Sequence, residues 1–218
     1  MSYGGGGGVY NLLPEPLSNR QATTITELCD NPIRVEERTD EEFDPVAGAT
    51  TPYEVMIPIF VDPASEGDRR TRDAIRRAAE LCEAWISEHH DCFPPVVINM
   101  TTGEPEDGDL RQAMDALCRH STYDGNVLLG HCLFTPGGEA VQFPSQPDEL
   151  PEHPVASALF DTASELPEWY HYNVANLFTR DRPLGPKARL FTVNADPMII
   201  CCATYFNPPA LSPADPIR

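Results

Sequence analysis

The chain is almost without lysine: Lys187 stands alone beside fourteen arginines. Those 15 basic residues face 34 acidic ones, for a net charge of −19. So large a negative excess repels nucleic acid and anionic lipid, and neither is expected as a partner. Long apolar runs are missing too, and nothing approaches the ~20 residues that a membrane-spanning helix needs. The start carries glycines in place of a basic stretch followed by an apolar one, so no signal peptide is expected. No Cys-x-x-Cys occurs. The seven cysteines are odd in number and several sit in apolar runs, which predicts reduced, buried thiols and a cytoplasmic location. Neither Ser121 nor Ser164 has a Gly-x-Ser-x-Gly context, and no Lys-Ser/Thr follows Gly4–Gly8. With no nucleophile–base pair in view, the chain is not expected to be an enzyme.

Proline is abundant. Its 23 residues are about twice the usual share of roughly 5%, and they gather at 135–154, 183–186 and 208–216, which predicts long connections. The 41% apolar content is enough for a core. The expected organisation is a glycine-rich and acidic segment at 1–52, an α/β core at 53–207 and a Pro-rich tail at 208–218.

Within that core, Tyr53–Val61 reads as a strand that Pro58 confines to an edge. Ahead of it, Ile25–Cys29 reads as a short helix and the acidic stretch Glu36–Asp44 as a solvated loop. Ile75, Ala78, Ala79, Cys82, Trp85 and Ile86 recur at helical spacing within 69–90. Val96–Met100 is a continuous apolar run broken by Asn99, as in a central parallel strand. A helix over Leu110–Cys118 and a buried strand over Asn126–Phe134 follow. Beyond a loop at 135–153, Val155–Leu159 and Trp169–Phe178 read as helical and Ala188–Val193 as a last strand. Alternating strands and helices predict a doubly wound, mostly parallel sheet with helices on both faces.

Several motifs fall in a set order: PPVVINMTTGEPEDGD at 94–109, Asp124–Leu129, Leu159-Phe160 with Ser164–Pro167, and FTVNAD at 191–196. Tyr3-Gly4 and Asn31–Arg38 add two more. Together they resemble a bacterial von Willebrand factor A (vWA) domain protein, over nearly the whole chain. Such proteins usually bind Mg²⁺ or Mn²⁺ through an Asp-x-Ser-x-Ser turn, a Thr in a second loop and the Asp of a Thr-Asp-Gly turn. A hard cation needs those oxygen ligands and their charge. Here the Asp-x-Ser-x-Ser turn is absent, Arg69 replaces the loop Thr, and Thr102 replaces the Asp. The resemblance therefore implies a degenerate metal site at Arg69, Thr101, Thr102 and Glu104, without a cofactor unless Mg²⁺ is held by a site completed in trans.

The resemblance also implies that a first strand and helix are missing, which would leave Val96–Met100 beside a gap. Three readings remain: a fragment from a late start, refilling by the chain's own N-terminal segment, or a strand donated by another chain. Self-association is expected where the gap stays open. Relatives of this kind often accompany stress-response kinases and phosphatases. The implied function is a protein-interaction or scaffold component, the alternative being a metal-dependent adhesion domain completed by a second chain.

Other clusters have plainer readings. His89-His90-Asp91-Cys92 fits the polar end of a helix. His131 and Cys132 point to opposite sides of a strand, and Cys201-Cys202 read as buried thiols. Glu104, Glu106, Asp107 and Asp109 lack the Asp-x-Asp-x-Asp-Gly spacing of a Ca²⁺ loop and suit a helix N-terminus. Phe143, Trp169, Tyr170 and Tyr172 are the candidates for a partner-binding surface, since aromatic rings are enriched at interface cores.

Overall fold

The computed structural model describes residues 1–3, 8–44, 48–62, 67–167, 170–171, 184–196 and 199–200. The chain divides into two compact units, Met1–Arg70 and Thr71–Arg218.

In the first unit β1 (Ser2–Tyr3) pairs antiparallel with β2 (Val9–Tyr10). Helix α1 (Ile25–Cys29) has the bounds read from sequence, and a reciprocal cap explains its start. The Thr24 hydroxyl accepts from the Glu27 amide at 3.1 Å, and the Glu27 carboxylate accepts from the Thr24 amide at 3.0 Å. That amide, then Arg20, holds the Glu27 carboxyl down at about 2.

The acidic stretch is a strand rather than a loop. β3 (Arg34–Asp44) pairs antiparallel with β4 (Ala49–Ile59) along the full length of both. Residues two apart share a face of a strand. Arg34 and Arg38 thereby reach Glu36 from either side, at 2.8 and 2.7 Å, beside Val55, Ile57 and Ile59 in the paired register. Charges of alternating sign neutralise one another on one face, which a count of acidic residues conceals. The other face bears Val35 and Met56, 51% and 61% exposed.

The second unit runs α2 (Thr71–Glu88), β5 (Val96–Thr101), α3 (Arg111–Leu117), a small hairpin of β6 (Ser121–Thr122) and β7 (Gly125–Asn126), β8 (Leu128–Leu133), β9 (Val141–Gln142), a 3-10 turn at Pro147–Glu149, α4 (Ala156–Thr162) and β10 (Phe191–Val193). β9 and the 3-10 turn interrupt the stretch expected to be one long loop. Strands β5, β8 and β10 are parallel and adjacent in that order, with β9 antiparallel on the far side of β10. Ser164 spans the gap where β10 has not yet begun. Its hydroxyl accepts from the Leu129 amide at 2.9 Å, and its amide donates to the Leu129 carbonyl at 2.9 Å.

The doubly wound sheet is not what forms. The described strands make four separate sheets, one of four strands and three of two. The reason lies in the direction of travel. A doubly wound sheet reverses direction at a switch point, whereas the path β5 to β8 to β10 steps the same way twice. Crossovers of one hand that step one way lay their helices on one face. Buried residues of α2, α3 and α4 accordingly share one core cluster with Leu129, Leu133, Phe191 and Val193. The opposite face is covered by Phe143, Leu166, Tyr170 and Ile200, which pack with Cys132 and Leu190. β5 also differs from its expected central place: among the described strands it is the end strand of its sheet. The helix expected over Trp169–Phe178 lies mostly outside the described residues, of which Tyr170 and His171 are helical.

Leu133 is fully buried between strand and helices. Leu133→Ala should cost about 2–5 kcal/mol in urea unfolding, whereas Met56→Ser, on the exposed ribbon, should change stability by no more than about 0.5 kcal/mol.

Candidate functional site

The carboxyl ends of parallel strands are where ligands gather in open α/β sheets. Register brings three such ends side by side, because Thr101 lies opposite Leu133 and Leu133 opposite Val193. The polar groups just beyond each end are engaged with one another. The buried Thr101 hydroxyl donates to the Gly103 carbonyl at 3.2 Å and accepts from its amide at 3.4 Å. After β8, the Thr135 amide donates to Asn194 Oδ1 at 2.8 Å. Asn194 Nδ2 in turn donates to the Thr135 hydroxyl at 2.9 Å and the Gly137 carbonyl at 2.8 Å. Asn194 adopts φ +49°, the left-handed conformation that asparagine tolerates best after glycine.

The acidic loop after β5 serves the helices. Asp107 places one carboxylate oxygen 3.1 Å from the Arg72 amide and the other 2.8 Å from the Asp73 amide. Both are orphan donors of the first turn of α2. Asp109 likewise accepts from the Arg111 amide at the start of α3, at 2.9 Å. Gly108 between them has φ +105°, and a Cβ there would lie 3.0 Å from Arg72 Nη1. The sequence pointed to a helix N-terminus; the structure adds that the loop caps the preceding helix as well as the following one.

The positions of the degenerate metal site are divided between the two units. Thr101 is buried with its hydroxyl engaged, Thr102 and Glu104 are exposed, and Arg69 belongs to the first unit. Among the described residues no three His, Cys, Asp or Glu side chains stand where they could share an ion. A hard cation requires several oxygen ligands with carboxylate charge, and these residues do not fit one.

Phe143 and Tyr170 take the place of core residues, 2% and 1% exposed. Phe93 packs edge-on against Tyr170 with ring centroids 6.3 Å apart, and burial pushes the Tyr170 phenol up to about 12. Neither ring is on the surface, since both pack over the face of the sheet that carries Cys132 and Leu190. Trp169 and Tyr172 lie outside the described residues, as do Cys201 and Cys202. Burial also raises the Cys82 thiol to about 11 and the Cys118 thiol above its usual range, so neither is a ready nucleophile. His89 ends α2 as its position implied: the ring stacks on Trp85 at 3.9 Å and its Nδ1 lies 2.9 Å from the Trp85 carbonyl.

One polar chain escaped sequence reasoning. Asn99 and His131 are register partners on β5 and β8, both buried, with Asn99 Nδ2 3.2 Å from His131 Nδ1. His131 Nε2 lies 3.4 Å from the Thr162 hydroxyl, which itself donates to the Ala158 carbonyl at 2.9 Å. This network assigns the proton to Nε2 and the lone pair to Nδ1. Burial holds the imidazole down at about 3. Only an Asn interrupting an apolar strand hinted at it.

Among known proteins, no family model, no curated protein and no solved structure matches this chain.

Two expectations follow. Asp107→Ala should lower stability by about 0.5–2 kcal/mol through loss of the α2 cap, read by urea unfolding, with no change if the cap is idle. In the unfolded chain His131 binds a proton below about 6.5, and in the folded chain only near 3. Its contribution is therefore full above pH 6.5 and falls as the pH drops toward 3, by roughly 1.4 kcal/mol per pH unit. His131→Leu should flatten that part of the stability–pH curve, and an unaltered slope would contradict the assignment.

Proposed function

We propose that this chain is a non-catalytic protein-interaction component in which a partner adds a strand beside β5. The observation that carries it is the place of β5 at the end of its sheet among the described strands. The Pro95 and Thr101 carbonyls accept from the Leu128 and Phe134 amides of the β8 side, at 3.0 and 2.9 Å. Alternation along a strand then directs the main-chain groups of Val96 and Ile98 away from β8. Their side chains are half-buried, as is that of Val97 between them. Such an edge is a template for strand addition, in which main-chain hydrogen bonds give affinity and alternate side chains give specificity. The resemblance to vWA domains supports an interaction role. The engaged strand-end loops support one that works without a metal, and the exposed Val35 and Met56 of the ribbon offer further apolar surface.

The test is capture of a partner by the immobilised chain in Mg²⁺ and in EDTA, with Ile98→Pro alongside. Proline at 98 removes a donor that points away from β8 and leaves the β5–β8 ladder intact. Capture should survive EDTA and be lost with Ile98→Pro at a temperature well below that variant's own melting point, which the lost Ile98 packing lowers. Capture that requires Mg²⁺ would favour an adhesion site completed by a second chain. Undiminished capture by Ile98→Pro would overturn strand addition.

A further inference from the structure

Most arginines with described side chains have a partner. Arg20, Arg34, Arg38, Arg77, Arg111 and Arg189 each stand in an ion pair, and Arg69 and Arg70 also interact. Among the described residues, the side chains of Arg72, Arg76 and Arg119 have no acceptor, although the chain is rich in carboxylates. All three line a single groove of about 490 Å³ between α2 and α3, whose wall also includes Ala79, Ala113 and Ala116.

The groove's own carboxylates are committed elsewhere. Glu80 is bridged by Arg77 at 2.7 Å, and Asp109 accepts from the Arg111 amide. Arg72 is the least expected of the three. It sits in the first turn of α2, the end whose dipole disfavours a cation. Its Nε is buried with no hydrogen-bond partner, and its Nη1 is set against Gly108. A buried donor without an acceptor costs free energy unless something supplies one. Arg76 follows one turn later on the same face. Arg119 lies just beyond the carboxyl end of α3, a helix of 7 residues and so about 10 Å long.

We infer that this groove is a binding site for a small multivalent oxyanion, with Arg72 and Arg76 gripping one end and Arg119 the other. The guanidinium fork matches phosphate and carboxylate oxygens two at a time. The alanines leave room for the body of the ligand, and the volume falls within the range of small-molecule sites. The inference is independent of strand addition at β5, and neither test reads the other.

Tripolyphosphate and citrate, titrated separately by calorimetry at low ionic strength, distinguish a phosphate from a carboxylate source. One of them should bind saturably at one site per chain. Arg76→Ala and Arg119→Ala, both at exposed positions, should each weaken that binding at least tenfold without moving the melting temperature. Arg20→Ala, in the other unit, should leave it unchanged. Absence of binding by both anions would overturn the site. So would binding that survives the Arg76→Ala/Arg119→Ala double variant, or equal binding of chloride at the same charge concentration.

Discussion

Asp107 joins the carboxyl end of β5 to the first turn of α2, and much of the second unit depends on that junction. Helix α2 is the longest element of the unit, at 18 residues, and its Ile75, Cys82 and Ile86 close one face of the sheet. Its first turn would otherwise present unsatisfied amides beside a loop rich in carboxylates. Placing one carboxylate oxygen against each of two amides settles both problems at once. It also commits the loop. A carboxylate held by helix amides is not free to turn toward a cation, and the Thr101 hydroxyl has likewise closed on Gly103.

The second constraint is the direction in which the sheet grows. Each crossover from β5 to β8 and on to β10 steps away from β5, so nothing in the described part returns to its outer side. The strand that seemed central by its apolar run is thereby left at the margin, with its inner side paired residue for residue to β8. Burial within that pairing is deep enough to keep His131 neutral and to tie it to Asn99 and Thr162. One side of β5 is thus paired along its length to β8, and its other side is where we propose that a partner adds.

Periodicity made the individual elements legible. The stripe from Ile75 to Ile86 marked α2, the bounds of α1 were read directly, and β8 and β10 were found within their apolar runs. Sheet order was not legible, because winding direction depends on which neighbour a strand chooses, and Val97 looks alike beside one strand or two. The β3–β4 ribbon was half seen. Its second strand has β-forming residues, whereas its first is stabilised by Arg–Glu pairing across i, i+2, which reads as charge when composition alone is weighed. At the candidate site, the loop from Thr101 to Asp109 was located correctly and its helix-capping part anticipated. The aromatic cluster misled in part: Phe143 and Tyr170 are large and apolar, and sequence does not say whether such rings face a partner or the chain's own sheet.

We propose that the loop after β5 holds structure together without holding a metal. Thermal melting of the purified chain in EDTA and in excess Mg²⁺ or Mn²⁺ tests it most directly, because a ligand that binds only the native state raises the melting temperature. Superimposable curves are expected. A rise that scales with the divalent ion and disappears on adding chelator would contradict it.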